Sequence, residues 1–205
     1  SIWTRTFGSQ SWNWGGGSGT VASFYNGVFM ANTSSSGIHP TQNWVDRYET
    51  ITGRPLVTQA NRDSATAAGE YNEQNPFVGR DPRLATDVIY NQSPCQGWTS
   101  NKAQLYMDGT TPSELLTTAW PGRSYTGYIV RKIWTNKSTK NQSGNNIISD
   151  PLFRLTELYL NYGEAANEAY GPNGSVAGAT YTARGAIDFI RSLRGMPPVR
   201  AEFIG

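Results

Sequence analysis

The chain of 205 residues is polar, nearly neutral in charge and rich in aromatic side chains. Its 17 basic and 15 acidic residues are scattered along the sequence, which excludes the basic stripe of a nucleic-acid-binding surface. The single cysteine, Cys95, excludes an internal disulfide framework and a cysteine-rich zinc site. No apolar run reaches the length of a membrane-spanning helix, and residues 1–10 do not form a signal peptide. We therefore expect any targeting signal to lie upstream of Ser1.

Long irregular loops are expected between a few regular elements. Hydrophobic residues make up 37% of the chain, mean hydropathy is −0.52, and Gly, Asn, Ser and Thr are abundant. The seven Trp and eleven Tyr indicate either a core built from aromatic rings or a surface that holds a ligand with them. The core interpretation is preferred for most of these rings.

Two tryptophans stand close together near the N-terminus. An alternating segment over residues 2–7 predicts a short strand. Trp12 and Trp14 follow beside the glycine run at residues 15–17, which predicts a loop that presents two rings. Because no Lys-Ser or Lys-Thr follows these glycines at phosphate-loop spacing, nucleotide binding is not predicted.

A short helix is predicted over residues 41–50, between two turns. Trp44, Val45 and Tyr48 would share one face of it, so Trp44 is interpreted as a core residue rather than a ligand contact. His39 is the only histidine, and a structural or exposed role is its default. No metal site and no cofactor are predicted.

The next recognisable segment is the Arg-Asp-Pro-Arg turn at residues 80–83, followed by a strand-like run over residues 84–90. Guanidinium groups in such a turn bridge carboxylates or backbone carbonyls, so a structural clamp is the favoured interpretation. Trp98, Tyr106 and Trp120 then fall in turn-rich sequence. Rings on such loops either stack on the flat face of a sugar or pin the loop to a core, and both interpretations stay open.

The most regular pattern follows a predicted strand over residues 125–134 and a polar loop. It predicts a hairpin of two helices over residues 150–198, with Asp150 capping the first helix and Pro151 at its first position. Apolar residues recur there at three- and four-residue steps, which predicts one continuous apolar face formed by Leu152, Leu155, Leu158, Tyr159, Tyr162, Ala165, Ala166 and Ala169. Stop signals at Gly171 and Pro172 end the first helix. A second apolar series, ended by a Gly and a Pro, predicts the second helix and consists of Ala183, Ala186, Ile187, Ile190 and Leu193.

Several of these segments together resemble the SusD/RagB family of surface glycan-binding lipoproteins of Bacteroidetes. The helix PLFRLTELYLNYGEAANEA is similar to the family's Arg-x-x-Glu-x-Tyr-Leu-x-Tyr-x-Glu-Ala helix, and AIDFIRSLRGMPPV to its Gly-Met-Pro segment. NPFVGRDPRL, PTQNWVDRYETITGRPL and TGYIVRKIW are similar to further family segments in the same order. The family usually has Ala where Thr156 and Gly163 stand, and Asn where Asp188 stands. Its members are also several hundred residues long, so the chain resembles an internal fragment.

The resemblance implies a mainly α-helical fold with large irregular loops and a few short strands, a partial version of the TPR-related helical-repeat fold. Residues 1–205 would be a fragment of one domain, with a loop-rich part at 1–149 and the helical hairpin at 150–198. It also implies non-catalytic binding of an oligosaccharide at the cell surface and delivery to a SusC-like TonB-dependent transporter. The protein would lie at the outer membrane, anchored by a lipid on a segment that this chain lacks.

The candidate ligand-binding residues come from the loops rather than from family motifs: Trp12, Trp14, Trp98 and Tyr106. No catalytic residues are predicted. Arg154, Glu157 and Glu164 match motif positions but are interpreted as bridges to neighbouring helices. Two alternatives remain: a glycoside hydrolase, which needs two carboxylates flanking a scissile bond, and a structural helical-repeat module that binds proteins.

Overall fold

The computed structural model describes residues 3–7, 12–14, 17–19, 39–94, 102–106, 124, 126–131 and 148–204. The helices are α1 (Gln42–Val45), α2 (Gln59–Ala67), α3 (Pro82–Asp87), α4 (Leu155–Tyr170) and α5 (Ala183–Ser192), with a short 3₁₀ helix at Ala201–Phe203. The strands are β1 (Trp3–Phe7), β2 (Trp12–Trp14), β3 (Gly17–Gly19), β4 (Val88–Ile89), β5 (Ile129–Val130) and β6 (Ile148–Phe153). They pair as β1 with β6, β2 with β3 and β4 with β5. The predicted fold class, mainly α with a few short strands, is confirmed.

The chain divides into two compact units, each assembled from segments that are far apart in sequence. One unit contains residues 1–5, 46–83 and 150–205, and the other contains residues 6–45 and 84–149. The predicted single domain, with a loop-rich part at 1–149 and a hairpin at 150–198, stays a prediction.

In the first unit, helix α2 begins at a capping box. Thr58 Oγ1 accepts a hydrogen bond from the Asn61 backbone N–H at 3.2 Å, and Asn61 Oδ1 accepts one from the Thr58 N–H at 3.2 Å. The inner face of α2 contributes Ala65 to a buried cluster with Leu56 and Tyr71. A polar stretch of sequence, for which no helix is predicted, therefore forms a helix that its local capping box starts.

The helical hairpin of the same unit is confirmed as α4 and α5. Helix α4 ends at Gly171, which has a φ of +75°, a conformation that glycine adopts without strain. Helix α5 begins at Thr182, whose Oγ1 accepts a hydrogen bond from the Gly185 N–H at 3.0 Å. Local stop and start signals thus set the connection between the two helices.

The predicted start of the first helix is wrong. Asp150 and Pro151 lie in β6, and α4 begins at Leu155. The residue at the N-cap position is Arg154, which makes no side-chain capping bond. Pairing with β1 keeps the preceding backbone extended, and a strand in a two-stranded sheet has a free edge at which the missing N–H of a proline is tolerated.

The two helices approach closely at Gly163. A Cβ atom on this residue would lie 2.9 Å from Ile187 Cδ1 and 3.3 Å from the Ala183 carbonyl oxygen. Both Gly163 and Ala166 are buried, so small residues on α4 allow α5 to pack against its backbone.

Aromatic rings close the hairpin next to this contact. The rings of Tyr159 and Phe189 have centroids 4.9 Å apart, and Tyr181 lies 5.7 Å from the first and 5.5 Å from the second. The Tyr162 hydroxyl donates a hydrogen bond to the Tyr181 backbone carbonyl. Aromatic rings therefore form much of the hairpin's packing, in agreement with the core interpretation.

The predicted continuous apolar face is only partly buried. Tyr159, Tyr162 and Ala166 pack as expected, whereas Leu155 and Leu158 are 54% and 43% exposed. Ala165 and Ala169 are also exposed. One partner helix covers only a narrow stripe of α4, and the predicted face is wider than that stripe.

In the second unit, the strand predicted over residues 84–90 is largely wrong. The segment forms helix α3, and only Val88–Ile89 is extended as β4. In the antiparallel pair with β5, Val88 faces Val130 and Ile89 faces Ile129. Val88, Ile89 and Ile129 are all fully buried, so the short ladder lies in the core of this unit. The strand predicted at 125–134 is thus present in part, and the strand predicted at 2–7 is present as β1.

Candidate ligand-binding site

Two of the four predicted ligand-binding residues lie on one short strand. Trp12 and Trp14 are the first and last residues of β2, which pairs antiparallel with β3 so that Trp12 faces Gly19 and Trp14 faces Gly17. The segment predicted as a loop therefore contains two paired strands.

Tyr106 lies at the end of an anchored segment and has a half-exposed ring. The Gln92 N–H donates to the Ala103 carbonyl at 2.7 Å, and the Leu105 N–H donates to Asn91 Oδ1 at 3.0 Å. Ala103 and Leu105 are buried, whereas Tyr106 is 40% exposed. The backbone before Tyr106 is thus held by hydrogen bonds, and the residue is partly exposed. Trp98 and Trp120 lie outside the described residues.

Trp44 is the aromatic residue that sequence reasoning placed wrongly. It is 54% exposed, although Val45 and Tyr48 are buried at 1% and 9% exposure. Helix α1 ends at Val45, so the predicted face does not continue to Tyr48. The sequence does indicate that one of these two residues is exposed. Adjacent residues on a helix point about 100° apart, so Trp44 and Val45 cannot both point directly into the core.

Helix α1 is held in place by contacts to Tyr128. The Tyr128 hydroxyl donates a hydrogen bond to Gln42 Oε1 at 2.7 Å, and its backbone carbonyl lies 3.2 Å from His39 Nδ1. The Ser124 hydroxyl donates to the same carbonyl at 2.9 Å. Val45 adds a fully buried side chain to these polar contacts. The helix that carries Trp44 is therefore held by the hydrogen bond of Gln42 and by the burial of Val45.

His39 has a structural role here, which is one of the two roles that the sequence left open. Its Nδ1 donates to the Tyr128 carbonyl, since a carbonyl oxygen only accepts. Burial lowers the pKa of His39 below its ordinary value of 6.5, and the smaller effect of the hydrogen bond opposes this shift. The imidazole is therefore neutral at pH 7. Within the described ranges, no group of His, Cys, Asp and Glu side chains gathers closely enough to hold a metal ion.

The Arg-Asp-Pro-Arg turn is the structural clamp that was predicted. The buried Arg80 guanidinium donates to the Tyr48 carbonyl from Nε at 3.2 Å and from Nη2 at 2.7 Å, and to the Pro76 carbonyl from Nη1 at 2.7 Å. It also lies over the Tyr71 ring, 5.8 Å from the centroid. Backbone carbonyls thus satisfy a charge that would be costly to bury alone.

The following residues of the turn explain why a helix starts there. Asp81 is buried, and its Oδ1 accepts a hydrogen bond from the Arg83 backbone N–H at 2.9 Å, which caps α3. Pro82 occupies the first helical position. The Arg83 guanidinium is paired with both carboxylate oxygens of Asp81, and this hydrogen bonding raises the pKa of Arg83.

The Gly-Met-Pro segment is tied to the segment at residues 46–83 by Arg191. Its Nη2 lies 2.7 Å from Glu49 Oε2, and its Nε donates to the Pro197 carbonyl at 2.7 Å. A Cβ on Gly53, which has a φ of +83°, would lie 3.0 Å from Arg191 Nη2 and 3.2 Å from Pro197 Cγ. Glycine is therefore required there for both its conformation and the space it leaves.

A second carboxylate joins the same two segments. Glu70 accepts hydrogen bonds from the Thr52 hydroxyl and from Arg54 Nε at 3.3 Å, and Arg200 Nη1 lies 3.3 Å from it. The Thr52 hydrogen bond is the largest of the effects that lower the pKa of Glu70, and the arginines add to it. A general acid needs a raised pKa, so this carboxylate is suited to holding structure rather than to protonating a leaving group.

The three charged motif residues of α4 are all exposed. Arg154, Glu157 and Glu164 form no ion pair with any residue in the described part of the chain. Arg154 and Glu157, three residues apart at the start of α4, therefore do not pair with each other. Their role as bridges to neighbouring helices stays a prediction.

The chain thus combines a helical hairpin with irregular segments that arginine side chains hold in place. The chain belongs to the SusD family, whose model matches residues 1–204. It is also similar to the crystal structure of a SusD-like protein from Bacteroides fragilis NCTC 9343, with 27% identity and a TM-score of 0.51. That match covers 80% of this chain and 30% of the other, so the chain spans less than a third of that protein's length. A search of curated proteins found no match.

Family membership confirms the resemblance read from the ordered motifs. The motif residues described above, Arg80, Asp81, Arg83 and Arg191, all act in packing and in holding the backbone. None of the helices described is long and apolar enough to cross a membrane. Trp44 lies in the family-like segment PTQNWVDRYETITGRPL and is exposed, whereas Tyr106 lies outside the family-like segments.

Proposed function

We propose that the protein containing this chain binds an oligosaccharide at the bacterial cell surface and passes it, unaltered, to a SusC-like TonB-dependent transporter. The observation that carries the proposal is the match of the SusD family model over residues 1–204. Location at the outer membrane through a lipid anchor belongs to the same proposal. The ligand is held at aromatic side chains, for which Trp12, Trp14, Trp98 and Tyr106 are the candidates.

The chemistry of the described residues agrees with binding without catalysis. A sugar ring has an apolar C–H face that packs on an aromatic ring and hydroxyl groups that need hydrogen-bond partners. Tyr106 supplies such a ring at 40% exposure on a fixed backbone. The carboxylates of Asp46, Asp81 and Glu70 are each paired with an arginine. The lowered pKa of Glu70 does not suit a general acid, which needs a raised one.

The test uses the full-length protein and native gels cast with soluble polysaccharides. Amylopectin, galactomannan and arabinoxylan serve as neutral polymers, and polygalacturonate serves as an acidic one. We expect at least one polymer to retard the wild-type protein, and we expect retardation to be lost when Trp12, Trp14, Trp98 and Tyr106 are all replaced by Ala. A variant with Leu155→Ala and Leu158→Ala controls for loss of exposed apolar surface, since both side chains are exposed on α4.

Three results would contradict parts of the proposal. Unchanged retardation of the four-ring variant would remove those residues from the site. New reducing ends after incubation with a retarding polymer would favour the glycoside hydrolase alternative. Failure of an outer-membrane transporter to co-purify with the anchored protein would contradict delivery to a SusC-like partner.

A further inference from the structure

The connection between α4 and α5 completes the start of the second helix. The Ala183 N–H donates to the Gly174 carbonyl at 2.9 Å, and the Arg184 N–H donates to the Pro172 carbonyl at 2.9 Å. The Thr182 side chain bonds the N–H of the third helical residue. Backbone carbonyls of the connection therefore pair with the first two N–H groups of α5, which have no partner within the helix.

Asn173 lies between the two residues that provide these carbonyls, and it is exposed. The residue after it has to be glycine, because a Cβ on Gly174 would overlap the Tyr170 carbonyl oxygen. The Gly174 N–H donates to the Gly171 carbonyl at 3.0 Å, which closes a turn around Asn173. The fold thus places an exposed asparagine next to an obligatory glycine.

An asparagine followed by glycine carries both groups of a cyclisation reaction. The glycine nitrogen, which no side chain shields, attacks Cγ of the asparagine. An N–Cγ bond forms, and the side-chain nitrogen leaves as ammonia with the proton of the attacking N–H. Water then opens the cyclic succinimide at either carbonyl carbon. Opening at the side-chain carbonyl gives aspartate, and opening at the backbone carbonyl gives isoaspartate, whose main chain is longer by a methylene group.

We propose that Asn173 is a site of this spontaneous backbone modification, and that its isoaspartate form uncouples the connection from the start of α5. An added methylene between the Pro172 and Gly174 carbonyls changes their spacing, and both carbonyls have to fit the same helix end. The aspartate form keeps the spacing and adds negative charge near a helix N-terminus, where such charge is favourable. The modification therefore acts through chain length rather than through charge, and it is independent of the proposed ligand binding.

The experiment ages the full-length protein in warm, mildly alkaline buffer, which favours loss of the attacking N–H proton. Tryptic peptides are then followed by mass spectrometry with fragmentation that distinguishes isoaspartate from aspartate. Residues 155–184 form one tryptic peptide, so Asn161 and Asn167 are internal controls that are exposed but lie within α4. We expect Asn173 to convert at least about tenfold faster than either control, because local opening is easier in a connection than inside a helix. Asn173→Gln should stay unmodified at this position, because its longer side chain closes a ring much less readily.

Hydrogen exchange tests the consequence for α5. In the isoaspartate form, we expect the Ala183 and Arg184 amides to exchange about tenfold faster than in unmodified chains, as the loss of a hydrogen bond implies. Freshly prepared Asn173→Asp separates charge from chain length, and its amides should exchange like those of wild type.

Absence of conversion at Asn173 in the folded protein would overturn the proposal, and conversion in urea alone would show that the bond from Gly174 to Gly171 protects the asparagine. Equal conversion of Asn161, Asn167 and Asn173 would also overturn the assignment of this site. Unchanged exchange in the isoaspartate form, or equally fast exchange in Asn173→Asp, would overturn the role of chain length.

Discussion

Buried charged side chains in this protein have hydrogen-bond partners, either backbone carbonyl groups or an oppositely charged side chain. Arg80 is 7% exposed and gives its hydrogen bonds to two carbonyl oxygens, and the buried carboxylate of Asp81 is matched by Arg83. Such groups cannot be removed singly without leaving a desolvated partner. Arg80, Asp81 and Arg83, which belong to a segment that identifies the family, are therefore used for folding.

The only histidine gives a pH dependence of stability with a defined sign. Burial holds the pKa of folded His39 below the ordinary 6.5 of the unfolded chain. Between these two pKa values the unfolded state binds more protons than the folded state. The contribution of His39 to the free energy of unfolding is therefore fully present above pH 6.5 and falls as the pH decreases through this window. We expect urea unfolding midpoints to decrease over this range more in wild type than in His39→Gln.

Proton NMR of the His39 ring provides a direct check, because no other histidine contributes a signal. The midpoint of its titration should lie below 6.5 in the folded protein. A midpoint at or above that value would contradict the burial of His39 against Tyr128.

Among secondary-structure elements, the same dipeptide has two different outcomes. Asp81–Pro82 begins helix α3, whereas Asp150–Pro151 lies within strand β6. The first Asp is buried and caps the helix, with its own N–H bonded to the Glu49 carbonyl at 2.9 Å. The second precedes residues whose backbone pairs with β1. A capping signal therefore allows a helix to start, but it does not prevent the same residues from pairing with a distant strand.

Because α4 and α5 are in contact, we expect substitutions at positions 163 and 187 to have non-additive effects on the free energy of unfolding. Replacing Gly163 by Ala should gain about 1 kcal/mol of helix propensity. The new methyl group would approach Ile187 Cδ1 to 2.9 Å, and relieving that overlap offsets the gain. We expect little or negative net effect of Gly163→Ala in wild type and a more favourable effect of the same change when Ile187→Val has removed Cδ1. The gain should stay below about 1 kcal/mol, because the Ala183 carbonyl oxygen and Cγ1 of residue 187 remain 3.3 Å from the new Cβ. The measurement is a double-mutant cycle by urea unfolding.

An equal effect of Gly163→Ala in both backgrounds would show that the helices do not meet at this point. Gly178→Ala serves as a comparison for added methyl groups, since nothing lies within 4 Å of its Cβ position, although its φ of +80° makes the change unfavourable for a different reason. Its effect should be the same with Ile187 and with Val at that position.

Over the whole molecule, the unit that contains the hairpin depends on contacts between very distant residues. Glu49 and Arg191 are 142 positions apart, and Glu70 and Arg200 are 130 apart. These pairs join the segment at residues 46–83 to the end of α5 and to the residues that follow it. Gly53 and Pro197 pack around the first pair, so charge and shape act at the same place.

Replacing Arg191 by Gln should therefore destabilise a segment far from it in sequence. We expect a loss of about 2 kcal/mol, the usual value for hydrogen bonds to a charged group. We also expect faster hydrogen exchange at the amides of Ile51 and Asp81, which bond to Gly79 and Glu49 within that segment.

Arg184→Gln is the matched control. Arg184 pairs with Asp188 and donates to the Val199 carbonyl, so its contacts stay within the hairpin and the residues that follow it. Exchange at Ile51 and Asp81 should be unaffected in this variant. Unchanged exchange in Arg191→Gln as well would mean that the two segments are stable independently of the ion pair.

The sequence by itself determined the hairpin, its connection and the family. Helical periodicity, the stop at Gly171 and the ordered motifs are local features, and local features can be read one segment at a time. The clamp at Arg80 could also be inferred, because a buried guanidinium beside Asp-Pro has few other uses. Of the candidate site, the sequence supplied the type of residue, exposed aromatic rings, and Tyr106 as one half-exposed example.

Only the tertiary structure decided where each apolar side chain faces. Trp44 was expected in the core and is exposed, Leu155 and Leu158 were expected to pack and are exposed, and residues expected in a strand form α3. Whether a side chain is buried depends on which distant segment packs over it, and the local sequence pattern does not identify that segment. Helix α1 stops before its predicted face is complete, and α5 covers a stripe narrower than the apolar pattern, so periodicity alone overestimates the core.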